Sequence, residues 1–130
     1  MHSKSDTASV SYTIAEAATA TDLTADTLRY YERDGLMLRP VGRSATGHRR
    51  YTDGDLRWIQ LLNCLRGTGM PIRDVRRYAD LVRRGPGNEA ERLDLLRAHR
   101  EHVQADLDAV TQHLRAIDYK ISLYERAEAS

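Results

Sequence analysis

Arg29, Tyr30 and Arg33 fall within one short stretch, TADTLRYYERDGL, and Arg39, Arg43, His48, Arg49 and Arg50 follow within residues 36–51, LMLRPVGRSATGHRRY. A guanidinium grips phosphate oxygens, or pairs through two N–H groups with the edge of guanine. Tyrosine and threonine hydroxyls bond phosphate as well, and Thr24 and Thr27 supply them beside Arg29. Within residues 39–50 the four arginines and His48 meet no carboxylate, so a polyanion is attracted there. Paired carboxylates, a nucleophile beside a base, or a glycine-rich phosphate loop do not stand out, which makes catalysis the least favoured use of these groups.

The elements that must carry these side chains can be read from caps and periodicity. Thr13 with Glu16 three residues on forms a capping box for a slim first helix (IAEAA), and residues 18–22 are expected to turn. Thr24 caps a second helix with Thr27 at its third position. Leu28 and Tyr31 face inward, Gly35 ends it, and Arg29 and Tyr30 become the foremost DNA-facing candidates, with Arg33 behind them. Pro40, Gly42 and Gly47 between LML and HRRY predict a hairpin with a mobile tip, a wing that returns to the core at Tyr51. Helix, turn, helix and wing together describe a DNA-binding head. A third helix over residues 53–66, capped by Asp53, carries the ridge Leu56, Ile59, Leu62 and Leu65. After Gly67 and Gly69, Pro71 opens a fourth with Ile72, Val75, Tyr78 and Val82 inward. Arg73, Arg76, Arg77 and Arg83 then point outward, Arg76 being kept as a phosphate candidate.

Charge follows the same division. The 130 residues carry a net +1, but residues 12–84 hold 13 basic residues, all arginine, against 9 acidic ones (+4), while residues 85–130 hold 6 against 9 (−3). The expected organisation is a disordered leader over residues 1–11, the winged head over 12–84, a linker at 85–88 (GPGN), a helix over 89–126 and a short tail at 127–130. That last helix contains neither glycine nor proline. Leu93, Leu96, Arg100, Val103, Leu107, Val110, Leu114, Ile117, Ile121 and Tyr124 recur along it by threes and fours. Such a heptad stripe must be covered by another helix, and a second copy of the chain is the simplest partner. No apolar run approaches a membrane span and MHSKSDTASVS lacks a secretory segment, so the cytoplasm is the expected location.

TIAEAA, TLRYYERDGLMLRP and GHRRYTDGDL, in this order, resemble the N-terminal domain of the MerR family of transcriptional regulators over residues 12–84. The resemblance implies a mainly α fold, a winged helix-turn-helix followed by a long dimerisation helix in an antiparallel coiled coil. It also implies a homodimer on a dyad-symmetric promoter operator, whose bending and untwisting of overlong spacer DNA lets RNA polymerase start. Cys64, the only cysteine, excludes an internal disulfide and is either a buried small hydrophobe or a reactive thiol near Arg57 and Arg66. Its place in the third helix resembles the single-cysteine subgroup typified by AdhR and NmlR, associated with aldehyde, electrophile and oxidative stress. No metal and no cofactor is expected: His99 and His102 are three apart on the long helix, but histidines flanking a seam are usually solvated or paired with acids. An excisionase-like DNA-bending protein and a coiled-coil adaptor are the rival classes, the first disfavoured by the long heptad helix.

Overall fold

The computed structural model describes residues 11–130, which divide into two compact units, one reaching to Arg92 and one beginning at Leu93. Among the described residues the chain is mainly helical. The first unit contains α1 (Ile14–Thr21), α2 (Ala25–Arg33), β1 (Gly42–Arg43), β2 (Arg49–Arg50), α3 (Asp53–Gly67) and α4 (Ile72–Arg83), and α5 (Glu89–Ala129) starts before the boundary and supplies the second. The leader expected over residues 1–11 lies outside the described residues except for Ser11, which is tied down by Arg50.

The capping box at α1 forms as its sequence requires, Glu16 N–H donating to Thr13 Oγ1 (3.1 Å) and Thr13 N–H to the Glu16 carboxylate (2.8 Å). The helix does not stop at residue 18, however. It continues to Thr21, whose buried hydroxyl donates to the Ala17 carbonyl (2.7 Å), and the turn is confined to Asp22 at φ 57°. α2 starts as expected at Thr24, which accepts from Thr27 N–H (3.1 Å), and buries Leu28 and Tyr31. Gly35, at φ 73°, closes it: its N–H reaches the Glu32 carbonyl (3.2 Å) and Leu36 N–H the Tyr31 carbonyl (2.9 Å), a paired return that needs a left-handed residue.

The wing is shorter than the sequence suggests. Only Gly42↔Arg50 and Arg43↔Arg49 pair, antiparallel, and LML is not a strand. Its backbone acceptors are taken by side chains instead. Trp58 Nε1 donates to the Leu36 carbonyl (2.8 Å), and Arg83 Nη1 donates to those of Gly35 (2.8 Å) and Met37 (2.9 Å), while Pro40 has no N–H to offer a ladder. The tip, expected to be mobile, is laced: Ser44 N–H donates to the His48 carbonyl (2.8 Å), and Thr46 Oγ1 lies 2.9 Å from His48 Nδ1. Tyr51 does return to the core, fully buried and bridged to Tyr12 through both backbone groups.

The cap of α3 is Thr52, with Asp55 answering from the third position (3.1 and 2.9 Å), not Asp53. Asp53 accepts the Tyr12 hydroxyl instead (2.7 Å). The ridge Leu56, Ile59, Leu62 and Leu65 is buried as read, joined by Trp58, whose ring stacks on Tyr78 at 5.9 Å. On α4 the buried residues are Val75, Ala79 and Leu81, with Ile72, Tyr78 and Val82 half-buried, so the inward face is wider than the expected set. Cys64 is exposed on α3, which removes the reading of a buried small hydrophobe. No helix among the described residues is long and apolar enough to cross a membrane.

α5 runs 41 residues, through Ala129 and past the expected end at residue 126. At 1.5 Å per residue that is about 60 Å. Along it Leu93, Leu107, Val110, Leu114, Ile117, Ile121 and Tyr124 are exposed, while Leu96 and Val103 are half-buried.

Leu62 is fully buried in the α3 ridge. Leu62→Ala is expected to destabilise the head by about 2–5 kcal/mol, through lost transfer energy and the cavity left behind. Denaturant unfolding followed by circular dichroism measures it, and a change below about 1 kcal/mol would mean that the ridge is not core.

Candidate nucleic-acid interface

Three local structures bring cations to one place. The N-terminus of α1, the outer face of α2 and the wing surround a cleft of about 260 Å³ lined by Thr13, Ile14, Arg29, Arg43, Gly47, His48 and Arg49. Four of the residues singled out in the sequence, Arg29, Arg43, His48 and Arg49, therefore meet although up to 20 positions separate them. Gly47, at φ 85°, makes the left-handed turn that sends β2 back beside β1.

The remaining candidates sit around this cleft or away from it. Tyr30 is 37% exposed on α2, its ring 6.0 Å from that of Tyr31, and Arg33 is exposed on the last turn. Thr24 and Thr27 share a hydroxyl–hydroxyl contact of 2.9 Å, so both are engaged in capping. Arg50 does not line the cleft: its Nε and Nη2 donate to Ser11 Oγ (3.1 and 2.9 Å). Arg76 is not in the cleft either, and binds Asp34 through Nε (3.0 Å) and Nη2 (2.6 Å), fastening α4 to the end of α2.

The expectation that the wing arginines face no carboxylate fails in three dimensions. Glu32 of α2 lies between them, accepting from Arg49 Nε at 2.5 Å and from Arg43 Nη2 at 3.2 Å. Asp26 accepts from Arg29 at 2.8 Å, and Asp55 approaches Arg39 at 3.8 Å. Counting charges along residues 39–50 cannot detect this, because Glu32 belongs to a different element. Such partly exposed pairs contribute little stability, about 0–1 kcal/mol each, but they fix where the guanidiniums point. Beneath them lies the Tyr51 ring, whose hydroxyl has no hydrogen-bond partner among the described residues. Burial pushes that phenol above its usual 10.0, opposed by Arg49 and Arg43 and reinforced by Glu32, so it stays neutral under the wing.

Arg83 is a support that sequence reasoning leaves out. It is exposed on α4, as expected, yet its head group also donates to the carbonyls at the exit of α2, just before the wing. Nothing in its spacing signals this, since its acceptors are backbone atoms 46 and 48 residues away.

Comparison with known proteins decides what kind of head this is. Residues 12–81 match the family described as MerR HTH family regulatory protein. The chain belongs to the MerR family. A Haemophilus influenzae protein described as an uncharacterized HTH-type transcriptional regulator is 38% identical over 120 residues, spanning 92% of this chain and 88% of its own. The HTH-type transcriptional regulator AdhR of Bacillus subtilis is 38% identical over 90 residues, covering 69% of this chain and 64% of AdhR. The crystal structure of HiNmlR, a MerR family regulator lacking the sensor domain and bound to promoter DNA, superposes with a TM-score of 0.85 at 38% identity, over 92% of this chain and 90% of that one. The protein is thus a MerR-type transcriptional regulator, similar to NmlR and AdhR, with a winged head and a long C-terminal helix.

Removing the Arg83 head group hands two carbonyls, one exposed and one part-buried, over to water. Arg83→Ala is expected to lower head stability by about 0.5–1.5 kcal/mol, whereas Arg73→Ala, at an exposed site, stays within about 0.5 kcal/mol. Thermal melts of the two variants side by side check this, and equal melting points would remove the anchoring role.

Proposed function

We propose that the chain acts as a cytoplasmic homodimer on a dyad-symmetric promoter operator, and that each head presses α2 and its wing against the duplex, distorting it so that RNA polymerase can start. The role is one of binding, with no catalytic step. The observation that carries this reading is the convergence of Arg29, Arg43, His48 and Arg49 around one cleft of a MerR head. Arg29, on α2, is suited to base edges, and Arg43 and Arg49 to phosphates on either side of the groove. Thr24, Thr27, Tyr30 and Arg33 add phosphate contacts along the same helix, and Arg50 and Arg76, outside the cleft, are secondary phosphate candidates. The structure of HiNmlR on promoter DNA supports the choice of partner.

Dimerisation is supported by α5, whose exposed Leu107, Val110, Leu114, Ile117, Ile121 and Tyr124 keep the heptad spacing. A soluble chain rarely leaves so long an apolar stripe in water, and an antiparallel second copy would cover it and fix the half-site spacing. The same stripe counts against an excisionase-like bender, which has no use for it. A pure coiled-coil adaptor would leave the basic cleft without a role.

Gel shifts over a salt series test the DNA reading. Against a promoter fragment, Arg43→Ala/Arg49→Ala is expected to weaken binding broadly and lower the salt slope by about 2. Arg29→Ala should cost about 1–3 kcal/mol of discrimination at one base position. Wild-type protein that binds random duplex as well as promoter DNA, or binds without salt dependence, would contradict the function.

The signal is assigned to Cys64, whose exposed thiol on α3 supports reaction with an electrophile or oxidant. Cys64→Ser should keep operator binding yet abolish induction of a reporter promoter by aldehyde or peroxide. Induction at the wild-type level would exclude the thiol.

A further inference from the structure

Glu32 occupies a position that no count of DNA-facing cations would select, a half-buried carboxylate bonded to two of the arginines that line the basic cleft. Each of its oxygens is used. Oε1 accepts from Arg49 Nε and Oε2 from Arg43 Nη2, so one rigid helix holds both limbs of a hairpin that has only two paired rungs. An arginine has five N–H donors in a planar fork. Among the described residues Arg49 spends only Nε, leaving both terminal nitrogens, and Arg43 spends one terminal nitrogen, leaving Nη1 and Nε. The cluster of two guanidiniums and one carboxylate stays net positive, with its unspent donors held in fixed planes.

We propose that Glu32 is a positioning residue for DNA binding, clamping Arg43 and Arg49 so that their remaining N–H groups are pre-aimed at phosphate and the wing moves as one body with α2. This rests on the reading that Arg43 and Arg49 contact DNA. Order is gained before the DNA arrives: flexible arginines on a two-rung hairpin must be immobilised by the complex itself, whereas clamped ones are already in place. The sign of the effect separates positioning from simple electrostatics. Deleting a negative charge beside a polyanion should tighten binding if charge alone matters. If Glu32 positions the wing, deleting it loosens binding.

The test is a double-mutant cycle on the full chain, using the duplex that wild-type protein selects most tightly from a random-sequence pool. Glu32→Gln keeps size and one acceptor oxygen but loses the charge. It is expected to weaken binding about tenfold and to flatten the salt dependence, with no further loss when added to Arg43→Ala/Arg49→Ala. In the free protein, the Arg49 Nε–H resonance is expected to exchange slowly in wild type and to broaden in Glu32→Gln. Equal or tighter binding by Glu32→Gln, with the arginine pair still required, would overturn the clamp and leave the DNA-contact reading standing. The same loss in both backgrounds would also overturn it, pointing to general damage that a lowered melting temperature would reveal. Unchanged binding by Arg43→Ala/Arg49→Ala would remove the contact reading on which the clamp depends.

Discussion

A hairpin with two rungs has too little ladder to hold its own orientation, because isolated two-stranded pieces are marginal in water. Everything the wing presents therefore depends on ties from outside its strands. At the tip these are the bonds among Ser44, Thr46 and His48; along its flank they are the two arms of Glu32; at its base the Tyr12–Tyr51 bridge joins it to the start of α1. The cation cleft exists because these ties converge from α1, α2 and the turn rather than from the sheet.

A second set of ties fixes the chain as it leaves α2. Gly35 reverses the backbone, and the next carbonyls are then claimed by Trp58 from α3 and Arg83 from α4. The buried carbonyl of Leu36 must find a donor, and Trp58 supplies it where no strand neighbour exists, while Arg83 serves the more exposed carbonyls on either side. Arg76 on Asp34 ties a second α4 residue to the same corner. A change in how α4 packs would thus be felt at the exit of α2, through hydrogen bonds rather than through the sheet.

Helices with strong local grammar were legible. The threonine caps at 13 and 24, the ridge on α3 and the stripe on α5 depend on spacings of three or four residues, which a sequence displays directly. The α3 cap was misassigned to Asp53 because two adjacent residues both cap well; Asp55 three positions after Thr52 breaks the tie. LML has strand-like composition, and only the distant donors Trp58 and Arg83 show that its acceptors are already taken. The arginines of the site were found by type, whereas their partner Glu32 was not, since it lies 11 and 17 residues before them with no periodic relation. Ser11 was likewise assigned to the leader, and its bond to Arg50 spans 39 positions.

Every basic residue between positions 12 and 84 is an arginine; the chain's lysines are Lys4 and Lys120. Guanidinium keeps its proton throughout the physiological range and is not a substrate for lysine acylation. The charge that the arginines give the head is consequently fixed, indifferent to acidity and to acetyl donors. What can vary in these arginines is the direction in which their forks point.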